Sequence, residues 1–158
     1  MKIRLASLIL LPLLAVAYAQ TMAFPELRLS PDEVDAMHAH EGGSGTSGVA
    51  GIRTTIVAGD PAKAGPYTIR LTIPPNTRIQ AHTHRDNRSA VVVSGMWYYG
   101  YGPTAKVDAE RALPARSFYT EPAGVAHFAE TKAEAAEVYI TGDGPTDTRY
   151  VQGGAQHP

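Results

Sequence analysis

Two histidines one residue apart, in His82-Thr83-His84, are the part of this sequence best suited to chemistry. In an extended chain, side chains two apart point to the same face, so both imidazoles can converge on one point. Neutral imidazole ligates Zn, Cu, Fe, Ni and Mn alike. The chain has no cysteine, so any metal must be held by nitrogen and oxygen alone. A third imidazole has to come from His38, His40, His127 or His157. His38-Ala39-His40-Glu41 repeats the spacing and adds a carboxylate, but it adjoins the glycine-serine run from Gly42 to Gly48 and reads as a solvated arm. His157 lies in a Gly-rich tail, where disorder is the default. His127 closes Pro122-Ala123-Gly124-Val125-Ala126-His127, a turn whose proline and glycine fix its path. Protonated imidazole cannot ligate, so a site of this kind should release its metal as pH falls through the histidine range.

Such side chains need a rigid frame, and the composition allows one. Apolar residues make up 44% of 158 positions, enough for the core of a single domain. The 12 prolines and 15 glycines favour short strands and turns over helices. The expected strands are Ile52 to Ala58, Tyr67 to Ile73, Arg78 to His84, Ser89 to Tyr99, Arg116 to Glu121, His127 to Glu130 and Glu137 to Thr141. Lys106 to Leu113 alone has a weakly helical composition. Many short strands punctuated by Gly and Pro indicate an all-β sandwich or barrel over residues 49–151, with 152–158 as a disordered tail.

The N-terminal part reads differently. Lys2 and Arg4, an apolar stretch from Leu5 to Ala17, and Ala17-Tyr18-Ala19 form a signal peptide over residues 1–19, with cleavage after Ala19. That predicts a secreted or periplasmic protein. The apolar run is too short to span a bilayer. Cleavage leaves 12 basic residues against 15 acidic ones, a net charge of −3, so nucleic acid and membrane are not expected partners. Residues 20–48 read as a flexible arm with a short helix, started by Ser30 as N-cap, Pro31 in the first turn and Glu33 three residues after the cap.

Pro75 to Gly95, carrying His82-x-His84 and ending on Gly95, resembles the first motif of the cupin superfamily, and Pro122-x-Gly124-x-x-His127 resembles the second. The resemblance covers residues 49 to 151, and the inter-motif stretch from Met96 to Glu121 suits a strand pair and loop. It implies a small jelly-roll β-barrel with a short N-terminal helical arm. It also implies one divalent transition metal ion (Cu, Fe, Mn, Ni or Zn) inside one end, held by His82, His84 and His127. A homodimer is the implied assembly. Gly65 to Arg70 and Trp97 to Gly102 look like a small secreted bacterial branch.

Three positions depart from the family pattern. The usual glutamate ligand is Arg88, the usual asparagine after the third histidine is Thr131, and the usual glycine six before the proline is Arg116. Asp86 and Gln80 are the nearest candidates for a fourth ligand. Arginine stays protonated and cannot ligate, so Arg88 is expected to point into the barrel, pairing with Glu121 or holding an anionic substrate. Arg88 and Glu121 are the candidate catalytic residues. A histidine triad with open positions fits a metal-dependent oxidoreductase that uses oxygen or peroxide on a phenolic or sugar substrate. The alternatives are a non-redox lyase or isomerase, and a ligand-binding barrel without catalysis.

Overall fold

The computed structural model describes residues 25–151. The signal peptide expected over residues 1–19 and the tail with His157 lie outside the described residues. One five-residue helix, α1 (Pro31–Asp35), precedes ten strands: β1 (Ala39–His40), β2 (Arg53–Ala58), β3 (Gly65–Ile73), β4 (Arg78–Thr83), β5 (Arg88–Tyr101), β6 (Glu110–Pro114), β7 (Phe118–Glu121), β8 (His127–Glu130), β9 (Ala136–Gly144) and β10 (Arg149–Tyr150). They form one curled sheet in the order β1-β2-β3-β9-β5-β8-β4-β10, with β6 and β7 also paired to β5. This is a jelly-roll barrel. Its core gathers Tyr67, Ile69, Ile73, Val92, Trp97, Val138 and Ile140, all at most 2% exposed.

The fourteen-residue β5 serves both halves of the barrel. Its first half pairs with β7 and β9, its second with β6 and β8. Arg88, Ala90 and Val92 face inward, and then the phase changes so that Trp97 and Tyr99 are buried. The ladder with β9 slips between Val92 and Ser94, and one extra residue in a strand moves every later side chain to the other face. Gly95 follows at φ +73°, against the β9 backbone.

Two expectations need correction. Residues 25–48 are not a loose tether. The barrel's sheet begins at β1, where Ala39 pairs with Thr55. The sheet's outer-face Arg70 is buried between Asp35 and Glu137. The Ser47 carbonyl accepts a hydrogen bond from the Tyr150 hydroxyl at 2.6 Å, and the Thr46 carbonyl one from the Thr148 hydroxyl at 3.0 Å. The glycines let the chain follow the barrel surface closely, Gly45 at φ +85° among them, whereas composition alone read them as slack. The stretch from Lys106 to Leu113 is helical only as a single 3₁₀ turn at Val107–Ala109 and then becomes β6, because pairing with the edge of β5 overrides weak local propensity.

The α1 capping box forms as read, with the Ser30 side chain and the Glu33 carboxylate satisfying each other's backbone amides. Thr131, at the usual asparagine position, ties the end of β8 to the β3–β4 turn. Its hydroxyl donates to the Pro74 carbonyl and accepts from the Thr77 amide. Arg116 stands at φ +72°, in the left-handed region that favours glycine. A left-handed L-residue costs roughly 1–2 kcal/mol, offset by about 0.5–1 kcal/mol of glycine chain entropy. Arg116→Gly should therefore stabilise the barrel by about 0.5–1 kcal/mol, read as a higher denaturant midpoint at unchanged slope. An unchanged or lower midpoint would show that the arginine side chain compensates for its backbone.

Candidate metal centre

A second bulge aims the two adjacent histidines. In the β4–β8 ladder Ile79 faces Ala129 and His82 faces His127, so β4 carries one residue more than its partner between those rungs. Ile79 and Ala81 are buried on one phase, and His82 and His84 on the other. Without that extra residue both imidazoles would point outward. His127, the first residue of β8, lies directly across from His82. The three rings pack with centroids 4.3, 4.8 and 5.0 Å apart. Their ligand nitrogens all lie within 4.8 Å of one another. All three histidines are buried, His127 to 1% exposure.

Each ring is locked by a backbone carbonyl that accepts a hydrogen bond from its Nδ1. The carbonyls are those of Gln80 for His82 (2.7 Å), Asp147 for His84 (2.6 Å) and Val125 for His127 (3.0 Å). That arrangement makes Nδ1 the protonated nitrogen and leaves an Nε2 lone pair on every ring. The Nε2 of His127 is fully buried with no hydrogen-bond partner. A buried orphan acceptor is costly unless something occupies it. Three locked imidazoles with Nε2 lone pairs fit a divalent transition metal, so the trio could hold one.

The carboxylates divide differently from the sequence reading. Asp86 is not placed as a ligand. One of its oxygens accepts from the Thr146 hydroxyl and the other from the Tyr67 hydroxyl at 2.7 Å. Gln80 contributes its carbonyl to His82, not its amide to the cluster. Arg88 is 6% exposed and points inward, its Nη1 3.4 Å from Glu121 Oε2 and 3.2 Å from His84 Nε2. Its Nη2 donates to the Thr146 hydroxyl, and its Nε lies 3.5 Å from Asp86. Glu121 Oε2 is 3.5 Å from His84 Nε2 and 3.8 Å from His127 Nε2. Sequence reasoning placed this carboxylate beside Arg88 but gave no sign that it borders the imidazoles. His38 and His40 are exposed on the arm, outside the cluster.

Burial sets the protonation of His82 and His84. Desolvation, followed by the neighbouring His127 charge, pushes His82 down to about 3. Desolvation and then the Arg88 guanidinium push His84 down further. In the metal-free chain both rings therefore stay neutral well below the ordinary histidine range. The unfolded state takes up protons below about pH 6.5 that the folded rings refuse. Acidification then favours unfolding, and stability rises with pH between about 3 and about 6.5. Denaturant titrations of the metal-free protein at pH 7, 6, 5 and 4 should show that slope. Constant stability over the range would contradict the neutral-imidazole assignment.

A small cavity of about 20 Å³ adjoins the cluster, room for one water-sized molecule. Behind it stand Tyr99 and Tyr119, whose rings are 4.3 Å apart, with Tyr99 stacked on His127 at 5.6 Å. Burial holds both phenols well above their ordinary range, with the Glu121 charge the next cause. The same two tyrosines line a groove of about 390 Å³ between β6 and β7, with Tyr101, Phe118, Leu113 and Arg111.

No protein-family model matches the sequence, and no curated protein does. Solved structures do match the fold. A polyketide cyclase, RemF from Streptomyces resistomycificus, superimposes with a TM-score of 0.64 at 14% identity, over 80% of this chain and 86% of that one. An RmlC-like cupin from Shewanella frigidimarina gives 0.53 at 14% identity, over 69% and 85%. A protein of unknown function with a cupin-like fold from Ralstonia eutropha gives 0.53 at 22% identity, over 66% and 62%.

Proposed function

We propose that this chain, a jelly-roll barrel of the cupin fold, is a mononuclear metalloenzyme that oxidises a small phenolic molecule, with His82, His84 and His127 holding the ion. The observation that carries the metal reading is the trio of buried imidazoles, each locked through Nδ1, with their ligand nitrogens within 4.8 Å of one another. When bound, the ion supplies redox or Lewis-acid chemistry. The chain's own residues orient it, exclude bulk water from it and leave space for one small co-reactant such as dioxygen or peroxide. The aromatic groove favours a planar, largely apolar substrate, because Tyr101 and Phe118 are exposed rings beside the Tyr99 wall. Arg111 at its edge suits a phenolate or carboxylate substituent. The Lys2 to Ala19 segment supports action outside the cytoplasm.

The test is turnover of simple phenols by protein whose metal content has been measured after purification without chelators. Activity should follow metal content and cease when both dioxygen and peroxide are removed. Metal-dependent turnover that continues without either oxidant would favour the non-redox lyase or isomerase reading. Absence of turnover in metal-loaded protein across phenols and sugars would favour a binding barrel.

A further inference from the structure

The family's acidic ligand position is occupied by Arg88, yet a carboxylate still borders two of the cluster's three rings. We infer that Glu121 is the fourth protein ligand of the ion, supplied from β7 on the rung directly opposite Arg88. This rests on the metal reading above and deepens it.

Donor atoms about 2.0–2.1 Å from one ion are separated from each other by about 3.4 Å in a tetrahedron. Glu121 Oε2 already stands 3.5 Å from His84 Nε2 and 3.8 Å from His127 Nε2. It is thus at donor-to-donor distance from two of the three imidazoles before any ion enters. The register explains how it gets there: Arg88 and Glu121 are Cα partners in the β5–β7 ladder. The carboxylate has in effect moved one strand over while keeping its level in the barrel.

Charge points the same way. Glu121 is 4% exposed, and a buried carboxylate needs a cation. Arg88 supplies that charge at 3.4 Å. Arg88 does not depend on Glu121, because Asp86, the Thr146 hydroxyl and the Asp147 carbonyl also hold its guanidinium. The carboxylate can pass to an entering ion while Arg88 remains compensated by Asp86. Asp86 cannot take the ligand role itself, since Tyr67 and Thr146 occupy its oxygens. Arg88 Nη1 also faces His84 Nε2, so the guanidinium competes for a lone pair that the ion needs.

The experiment titrates the full chain with Zn²⁺ and with Co²⁺, reading affinity and the visible spectrum of the cobalt form. Wild type should bind one ion, and His84→Ala should lose it. Glu121→Gln should bind at least roughly tenfold more weakly, with a changed cobalt spectrum. The swap Arg88→Glu/Glu121→Arg, which returns the carboxylate to β5, should recover most of the affinity. Where a variant does not fold, the infrared difference spectrum of wild type on Zn²⁺ binding decides. Bands of a newly coordinated carboxylate support the assignment, and their absence overturns it. Failure of the two readings is distinguishable. If wild type binds and His84→Ala does not, but Glu121→Gln matches wild type in affinity and spectrum, Glu121 is not a ligand and the triad stands. If wild type binds neither ion, the metal reading itself falls.

Discussion

Replacing His82, His84 or His127 singly by alanine should take metal content from about one ion per chain to near zero while the barrel stays folded. Losing a group that merely orients a ligand weakens metal sites by roughly 10–100-fold, so losing a ligand should cost more. The fold should survive because its core is built from Tyr67, Ile69, Val92, Trp97 and Val138, none of which depends on the ion. Elemental analysis beside circular dichroism checks both halves. The exposed pair His38 and His40 supplies the control, and substituting either should leave metal content unchanged. Equal metal loss from His40→Ala would move the site to the arm.

Gly95→Ala should prevent folding, or destabilise by more than about 4 kcal/mol, the range reserved for severe steric mechanisms. A Cβ built on Gly95 would sit 1.9 Å from the Ala135 carbonyl oxygen and 3.0 Å from the Ala136 Cα. Both obstacles are backbone of the paired β9 region, so no side chain can swing aside. The residue also has φ +73°, a conformation that a side chain disfavours. Relieving the clash means shifting β5 against β9, and any slip there endangers the burial of Trp97 and Tyr99. Against a typical total of about 5–15 kcal/mol, that loss leaves little folded protein. Soluble yield and thermal melting read the outcome. A melting temperature within a few degrees of wild type would show that the bulge is more plastic than its contacts imply. Arg116 offers the opposite case, a left-handed position where the chain tolerates a side chain.

The strands were legible because they rest on local rules, and the histidine trio because the two motifs that carry it resemble those of a known family. Tyr67, Ile69, Leu71 and Ile73 alternate as a half-buried strand must, and all four are buried. The proline-glycine turn marks where His127 enters its strand. What stayed hidden depends on register. Strict alternation along β4 would put Ala81 and His82 on opposite faces, and only the extra residue opposite β8 buries both. Glu121 becomes a neighbour of the imidazoles only once β7 is laid beside β5 with Arg88 on the same rung. Asp86 seemed an available carboxylate until Tyr67 and Thr146, distant in sequence, were found to occupy it. The arm was misjudged for the same reason, since its anchors are Arg70, Thr148 and Tyr150 rather than anything within it.

The most direct measurement is anomalous X-ray scattering from crystals of the full chain carrying whichever metal elemental analysis finds in it. One strong peak is expected, with the Nε2 atoms of His82, His84 and His127 each about 2.0–2.2 Å away. A metal peak elsewhere on the barrel, or fully loaded crystals with no peak among these three rings, would contradict it.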